Sequence, residues 1–142
     1  MTLPKSISAC IDWWLILIFI GFLGAMIAAS NGFKLQLTDF WLFLVMIIVM
    51  PVIETLVFNR WLQQGFINYR LQKNATPQLT YVFSILLMAG AFALSHIVYG
   101  ANVFLWWLIP ATALGVFWVY CPNLWAVSSV HAAWNLSLWL VS

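Results

Sequence analysis

Four polar side chains in this sequence lie in apolar surroundings and are of the types needed for acid–base chemistry. Glu54 follows fourteen nearly unbroken apolar positions, and the only two histidines, His96 and His131, also fall in apolar stretches. Asn135 follows His131 by four residues, so the two share one face of a helix. Ionisable groups inside a bilayer cost about 2.5–3.5 kcal/mol or more each, and they therefore usually face a protein interior and carry function.

Together these side chains can hydrolyse a peptide bond without a covalent intermediate. Glu54 can accept a proton from water and later deliver it to the leaving amine, while His96 holds the same water. His131 and Asn135 can donate hydrogen bonds to the oxyanion that forms on the attacked carbonyl. Two histidines and one glutamate are also a catalytic zinc ligand set, so zinc bound by Glu54, His96 and His131 is a second interpretation.

Other interpretations of buried polar residues are simpler or fit less well. An intramembrane histidine or glutamate can serve only to hydrogen-bond a neighbouring helix. The motifs H-E-x-x-H of zinc proteases and G-x-S-x-G of serine hydrolases are absent from the sequence. Asp12 and Asp39 fall near predicted helix ends, which disfavours an aspartyl dyad. A hydrolase built on the single deeply placed glutamate is therefore the leading hypothesis.

The elements that position these residues must lie in lipid. The chain has 142 residues, of which 65% are hydrophobic and 6% are charged. A soluble domain has about 45–50% apolar and about 25% charged residues. This composition excludes a soluble enzyme, a nucleic-acid-binding protein and a disordered chain. The expected fold class is all-α, a polytopic transmembrane helix bundle.

Five segments are long and apolar enough to cross a bilayer as helices, for which about 20 residues are needed. The second is expected to begin at Asp39, a residue type that caps helix N-termini. The last two connections are short, so the third, fourth and fifth helices should be antiparallel neighbours. The segments run near Ile11 to Ala29, Asp39 to Phe58, Leu79 to Val98, Asn102 to Tyr120 and Leu124 to Val141.

Convergence of the polar residues requires the second helix to be longer than its apolar run. If it ended at Arg60, Glu54 would lie about 9 Å from that end, and His96 would lie much farther than Glu54 from the same side of the membrane. Apolar residues recur on one face beyond this point, which predicts continuation to about Leu71. Counting residues from the helix ends still places His131 closer than Glu54 and His96 to the membrane side on which the second helix ends.

Pro51 lies three residues before Glu54 and is expected to disturb the second helix. Proline has no backbone N–H, so the helix should loosen around the carbonyl of Ile47. A bend at this point would open a cavity beside the carboxylate.

Basic residues near the helix ends predict the orientation in the membrane. Lys5, Arg60, Arg70 and Lys73 fall on one side, and Lys34 falls on the other. Lys and Arg favour the cytoplasmic side, so the N-terminus is expected in the cytoplasm. The first apolar run is long for a secretory signal, and we expect it to remain as an uncleaved anchor.

Three short motifs resemble those of the type II CAAX prenyl endopeptidase and bacteriocin-processing family, the CPBP or ABI family of membrane proteases. The family motifs are Glu-Glu-x-x-x-Arg, Phe-x-x-x-His and His-x-x-x-Asn, each on its own helix. The resemblance covers about residues 51–135. The matching residues are Glu54 in the first motif, Phe92 and His96 in the second, and His131 and Asn135 in the third.

The resemblance implies a metal-independent, glutamate-type protease that needs no cofactor. In such a protease Glu54 and His96 would activate water, and His131 and Asn135 would form the oxyanion hole. The resemblance also implies a four-helix catalytic core. Here that core would be residues 39–142, preceded by an N-terminal segment with one added transmembrane helix, residues 1–38.

The first motif departs from the family pattern. With Glu54 on the first family glutamate, Thr55 stands at the second and Asn59 stands at the arginine. Thr55 and Asn59 are four residues apart and could hydrogen-bond each other. Arg60 comes one position late and is rotated by about 100°, so the role of the arginine is not transferred to it. We regard these three residues and Phe92 as candidate supporting residues.

Two classes of function follow from these expectations. The first is an intramembrane endopeptidase that cleaves a membrane-tethered protein or peptide, such as a prenylated tail, a bacteriocin leader or a C-terminal sorting anchor. The altered first motif favours a processing protease of a prokaryotic cytoplasmic membrane over a prenyl-protein enzyme. The second is a non-enzymatic membrane protein, an immunity or interaction protein that has kept the fold.

Overall fold

The computed structural model describes residues 7–30, 39–97 and 101–141, and the side chains of residues 8–30, 39–97 and 105–141. Within these ranges the chain forms helices and no strand. Lys5 and Lys34, which enter the predicted orientation, lie outside the described residues. We number five helices in chain order: α1 Ile7–Ser30, α2 Phe40–Gln72, α3 Pro77–Ser95, α4 Ala101–Tyr120 and α5 Leu124–Val141.

The bundle has the outer surface of a protein whose solvent is lipid. Among the described residues, three helices are long and apolar enough to cross a bilayer, namely α1 over Ser8–Ser30, α2 and α3. The described part of α4, Leu105–Tyr120, is apolar but shorter, and α5 has several buried polar residues. Large apolar side chains such as Phe19 and Trp41 are exposed by 63% and 72%. The predicted all-α membrane bundle is confirmed.

The helix α2 begins where the sequence predicts and continues past its apolar run. The Asp39 side chain caps its N-terminus, because Oδ1 accepts hydrogen bonds from the backbone N–H of Trp41 at 2.6 Å and of Leu42 at 3.2 Å. The helix has 33 residues and ends at Gln72, which confirms the predicted extension to about Leu71. At 1.5 Å per residue it is about 50 Å long, so it either tilts or extends beyond the roughly 30 Å hydrocarbon core.

Two stretches of α2 are wound as a π-helix. In the first stretch, the N–H of Met50 bonds to the carbonyl of Val45, five residues back. The next carbonyl, that of Met46, would pair in this pattern with Pro51, which has no N–H. The carbonyl that loses its partner is thus that of Met46, one residue before the predicted Ile47, because the wider turn shifts the hydrogen bonds by one residue. The two π-helical stretches are Val45–Val49 and Thr55–Gln63.

The helix α3 ends earlier than its apolar pattern predicts. It runs from Pro77 to Ser95, and His96 is its C-terminal cap. The hydroxyl of Ser95 donates to the carbonyl of Phe92 at 2.7 Å, a local bond that competes with continuation of the helix. Val98, the predicted end, lies outside the described residues.

The corner between α4 and α5 is set back along α2 from the corner between α2 and α3. Near the end of α4, the Trp118 indole N–H donates to Gln64 Oε1 at 3.0 Å. Gln64 lies eight residues before the end of α2, which is about 12 Å along the axis. The helix α5 therefore starts farther from the end of α2 than counting from helix ends assumes. This shift brings His131 to the same depth in the bundle as Glu54.

The helix α1 packs along α5 and is an integral part of the bundle. The Trp14 indole N–H donates to Ser129 Oγ at 2.8 Å. The Trp134 indole N–H donates to the carbonyl of Leu17 at 2.7 Å. A side chain at Gly21 would overlap the Trp134 ring, so this close approach of the two helices requires glycine.

Candidate active site

Glu54 lies between the two histidines, although the three residues come from three different helices. Its Oε1 atom is 3.7 Å from His96 Nε2, and its Oε2 atom is 3.4 Å from His131 Nε2. Both distances exceed those of direct hydrogen bonds, about 2.7–3.2 Å, as is common for catalytic groups before substrate binds. The Glu54 side chain is 12% exposed, so the carboxyl group is mostly enclosed but accessible.

The orientation of the His96 ring is set by the end of its own helix. Its Nδ1 atom lies 2.9 Å from the carbonyl oxygen of Phe92, and because a carbonyl only accepts, Nδ1 carries the proton. The Ser95 hydroxyl oxygen lies 3.1 Å from the same nitrogen. In the neutral ring Nε2 is therefore an acceptor, and it faces Glu54. This nitrogen can accept a hydrogen bond from a water molecule beside the carboxylate.

His131 is almost completely buried, with 4% of the residue exposed. One ring nitrogen, Nε2, faces Glu54. The other nitrogen, Nδ1, is buried and has no hydrogen-bond partner in the part of the chain that the structure describes. An unpaired buried polar atom costs about 1–3 kcal/mol, which is tolerated where a ligand supplies the partner.

Asn135 lies one helical turn beyond His131 and bonds to the backbone of α2. Its Nδ2 atom donates to the Met46 carbonyl at 2.9 Å. This is the carbonyl whose π-helical partner would be Pro51, so the side-chain amide satisfies a group that the proline leaves unpaired. The amide has two N–H groups, and one of them is left over from this bond.

Aromatic rings hold the two imidazoles in place. The buried Phe92 ring stacks on His96 with centroids 4.6 Å apart and meets His131 edge-on at 5.7 Å. Phe58 packs edge-on against Phe92 at 5.3 Å. Trp107, which the sequence analysis does not single out, packs against the His96 ring, with centroids 4.7 Å apart. Phe92 thus supports both histidines by packing.

The residues that replace the second glutamate and the arginine of the family motif do not bond to each other. Asn59 Nδ2 donates to Gln63 Oε1 at 3.0 Å. The Thr55 hydroxyl is buried, and it has no hydrogen-bond partner among the described residues. Arg60 is exposed. The hydrogen bond that Thr55 and Asn59 could have made is not formed, because Asn59 bonds instead to Gln63, which also reaches the carbonyl of Gly115.

The buried network around Gln63 is not among the predicted features. Gln63 is fully buried, accepts from Asn59 and donates through Nε2 to the Gly115 carbonyl at 2.8 Å. A side chain at Gly115 would crowd Met88, so this glycine lets α4 come close to α3. The spacing of Thr55, Asn59 and Gln63, four residues apart on one helix face, is the signal that could have identified the network.

An apolar cavity of about 570 Å³ reaches the site from the side of α1. Its walls come from α1, α4 and α5, with Phe92 contributed by α3. His131 and Asn135 are among its lining residues, whereas Glu54 and His96 are not. The cavity therefore meets the site at the histidine and the amide of α5, rather than at the predicted bend of α2.

Metal binding was the alternative use of the same residue types. Within the described ranges, no group of three His, Cys, Asp or Glu side chains is arranged to hold a metal ion. Both imidazoles turn Nε2 towards the carboxyl group. With both Nε2 atoms beside the carboxyl group, the arrangement suits proton transfer through Glu54.

The fold and the site define a polytopic membrane protein that gathers one glutamate and two histidines inside a helical bundle. Residues 36–137 match the family model described as type II CAAX prenyl endopeptidase Rce1-like. The match covers well over half of the chain, and the chain therefore belongs to this family of proteases. The resemblance indicated by the three motifs is confirmed. No curated protein and no solved structure matches the chain.

Proposed function

We propose that this protein is an intramembrane endopeptidase that hydrolyses a peptide bond of a membrane-tethered protein or peptide with water activated by Glu54 and His96. The observation that carries the proposal is the placement of both imidazole Nε2 atoms at 3.4 and 3.7 Å from the two carboxyl oxygens of Glu54. Membership of an endopeptidase family supports peptide hydrolysis as the reaction.

In the proposed reaction, Glu54 acts first as a base and then as an acid. A water molecule beside Glu54 donates one hydrogen bond to His96 Nε2 and gives a proton to the carboxylate as its oxygen attacks the scissile carbonyl carbon. The tetrahedral intermediate then collapses, the C–N bond breaks, and the protonated Glu54 delivers its proton to the leaving amine. No covalent enzyme intermediate and no metal is needed.

The oxyanion of the intermediate requires donors, and α5 offers two. His131 can donate from Nε2, the ring nitrogen that lies 3.4 Å from the Glu54 carboxyl group, in the tautomer that carries the proton there. Asn135 can donate the N–H that its bond to the Met46 carbonyl does not use. That bond also fixes the plane of the amide, so the donor is preorganised for the developing charge.

The substrate class is proposed from the family and from the altered first motif. Candidate substrates are prenylated tails, bacteriocin leaders and C-terminal sorting anchors of exported proteins. The absence of a carboxylate at Thr55 and of an arginine at Asn59 favours a processing protease of a prokaryotic cytoplasmic membrane. The basic residues Arg70 and Lys73, at the corner between α2 and α3, favour a cytoplasmic location for that corner and for the N-terminus.

The test compares Glu54→Gln with wild-type protein in reconstituted membranes, using one tethered substrate of each candidate class. Cleavage should fall by about 10³-fold or more in the variant, because removal of a catalytic residue has effects of this size. Cleavage by wild-type protein should continue in 1,10-phenanthroline. Asp12→Asn, a carboxyl-to-amide change at an exposed position, is the matched control and should retain activity. Full activity of Glu54→Gln would overturn the mechanism.

A second candidate function is that of a non-enzymatic interaction protein. It is favoured by one observation: neither Thr55 nor Asn59 supports Glu54 in the way the family carboxylate and arginine are expected to, since Asn59 bonds to Gln63. In this case the biological effect of the protein should persist when Glu54→Gln and His96→Gln are combined. Loss of the effect in a well-expressed double variant would reject this candidate and support the endopeptidase.

A further inference from the structure

Ser128 is a buried serine one helical turn before His131, and its hydroxyl differs from those of other serines in the bundle. Four serines elsewhere donate to a backbone carbonyl of their own helix, three or four residues back, which is common for helical serine. They are Ser84, Ser95, Ser129 and Ser137. Ser128 is 3% exposed, and its Oγ atom has no hydrogen-bond partner among the described residues. Its proton is therefore available to an acceptor other than the backbone of α5.

His131 has a buried ring nitrogen with the same need. Its Nδ1 atom has no hydrogen-bond partner within the described ranges, and its Nε2 atom faces Glu54 at 3.4 Å. A neutral imidazole has one nitrogen that donates and one that accepts. The hydrogen bond made by one nitrogen decides whether the other carries the proton. The partner of Nδ1 therefore determines whether Nε2 is a donor or an acceptor beside Glu54.

The two unpaired atoms lie on one face of α5. Residues three apart on a helix have Cβ atoms about 5–6 Å apart. Long side chains of a helix lean back towards its N-terminus, so the His131 ring lies over the turn that contains Ser128. Nδ1 is bonded to Cγ and is the ring nitrogen closer to this turn, while Nε2 points away to Glu54. Rotation about the Cα–Cβ bond of Ser128, or one water between the two atoms, is enough to join Oγ to Nδ1.

His96 has the opposite arrangement. Its Nδ1 atom bonds to the carbonyl of Phe92, four residues back, so its Nε2 atom accepts. The corresponding carbonyl of α5, that of Val127, does not bond to His131 Nδ1. A hydroxyl can donate to a ring nitrogen, whereas a carbonyl cannot. A bond from Ser128 would thus give His131 the tautomer that His96 lacks, and the two imidazoles would face Glu54 with one donor and one acceptor.

We propose that Ser128 is the positioning residue of His131: its hydroxyl donates a hydrogen bond to Nδ1, directly or through one bound water, and thereby holds the proton on Nε2. The tautomer is a property of the resting protein and does not depend on any reaction. Its catalytic consequence rests on the proposed endopeptidase function, in which His131 Nε2 donates to the oxyanion.

The chain has two histidines, so NMR of the full chain, labelled with ¹⁵N-histidine in lipid nanodiscs, can read each tautomer. His96→Gln removes one set of signals and assigns the other to His131. In wild-type protein at neutral pH, His131 should carry its proton on Nε2. In Ser128→Ala the Nδ1–H tautomer should become half or more of the population, because Nδ1 can then donate to the Val127 carbonyl as His96 does to that of Phe92.

The rate should follow the tautomer. In Ser128→Ala, kcat should fall about 2- to 10-fold with KM unchanged, which corresponds to the loss of one ordinary hydrogen bond. The Nδ1–H tautomer or a doubly protonated ring at His131 in wild-type protein would overturn the proposal. An unchanged tautomer in Ser128→Ala, shown to be folded by thermal unfolding, would do the same.

Two matched controls remove other buried hydroxyls. Ser137→Ala removes one from α5 that donates to the Ala133 carbonyl, and it should keep the wild-type tautomer and kcat. Thr55→Val removes a second buried hydroxyl that lacks a partner in the described part of the chain. Thr55 is on α2, where no helix geometry directs it at His131, so this variant should also keep the tautomer. A tautomer change in Thr55→Val and none in Ser128→Ala would assign the donor to Thr55 and reject the proposal.

The failure of this proposal and the failure of the proposed function can be told apart. A tautomer change in Ser128→Ala, in a protein whose wild type cleaves no substrate, would support the positioning role and reject the endopeptidase. Cleavage that requires Glu54, with the same tautomer in wild type and Ser128→Ala, would support the endopeptidase and reject the positioning role. A tautomer change with no fall in kcat would reject the catalytic consequence.

Discussion

Glu54 and Gln63 are polar side chains on the same membrane helix, yet their surroundings are opposite. Gln63 is fully buried, and both ends of its amide are hydrogen-bonded, at 3.0 Å from Asn59 and at 2.8 Å to the Gly115 carbonyl. Glu54 is partly accessible, and its two carboxyl oxygens lie 3.4 and 3.7 Å from the imidazoles of His131 and His96. The protein itself supplies the hydrogen-bond partners of Gln63, whereas the distances around Glu54 leave room for hydrogen bonds to a bound water or substrate.

This difference separates a structural polar residue, Gln63, from the proposed catalytic residue, Glu54. A buried amide whose oxygen and nitrogen both hydrogen-bond within the protein stabilises a helix contact, because breaking these bonds would leave several groups unpaired. A carboxyl group held near two imidazoles, beside an unpaired ring nitrogen, is arranged for proton transfer. Polarity and burial alone do not distinguish the two cases, and the state of the hydrogen bonds does.

Asn135 has a structural hydrogen bond and a proposed catalytic role, and we expect its removal to have the largest effect of three further tests. Asn135→Ala removes one of the two proposed oxyanion donors, and it removes the hydrogen-bond partner of the Met46 carbonyl. We expect catalysis to fall by about 10²–10³-fold and the free energy of unfolding to fall by about 1–3 kcal/mol. Cleavage assays and thermal unfolding measure the two effects. Ser137→Ala on the same helix is the control and should change neither by much, and a stability loss without a rate loss would make Asn135 purely structural.

Gln63→Leu tests the structural side of the comparison. The substitution leaves Asn59 Nδ2 and the Gly115 carbonyl unpaired, so the free energy of unfolding should fall by about 1–3 kcal/mol for each group. The rate per folded molecule should stay within about threefold of wild type, since no atom of Gln63 touches the reacting groups. Gln72→Leu, at the exposed end of α2, should leave stability unchanged. A large rate loss at unchanged stability would assign Gln63 to the active site.

Thr55→Val should have the smallest effect and sharpens the boundary between the two regions. The Thr55 hydroxyl is buried without a partner among the described residues, so a methyl group of the same shape should be neutral or slightly stabilising, within about 0.5 kcal/mol. Catalysis should be unchanged. If the rate fell while the melting temperature held, Thr55 would support Glu54 as the second glutamate of the family motif is expected to do.

Much of this architecture could be predicted from local features of the sequence. The bounds of α5 are Leu124–Val141 as predicted, and Asp39 caps α2 as its residue type suggests. These features depend on apolar runs and on caps, which act over a few residues. The placement of Glu54, His96 and His131 in apolar runs also predicted that they face the protein interior, because lipid offers ionisable groups no partner.

The sequence by itself determined the lipid-embedded helical fold and the residue types of the site. Only the tertiary structure decided the relative depths of the helices: the bond from Trp118 to Gln64 sets the corner between α4 and α5 about 12 Å back along α2. It also decided that Asn59 bonds to Gln63 rather than to Thr55, and that α1 forms a wall of the cavity. Helix length follows from hydropathy along the chain, whereas the offset between helices follows from side-chain contacts between distant segments, which no local pattern encodes.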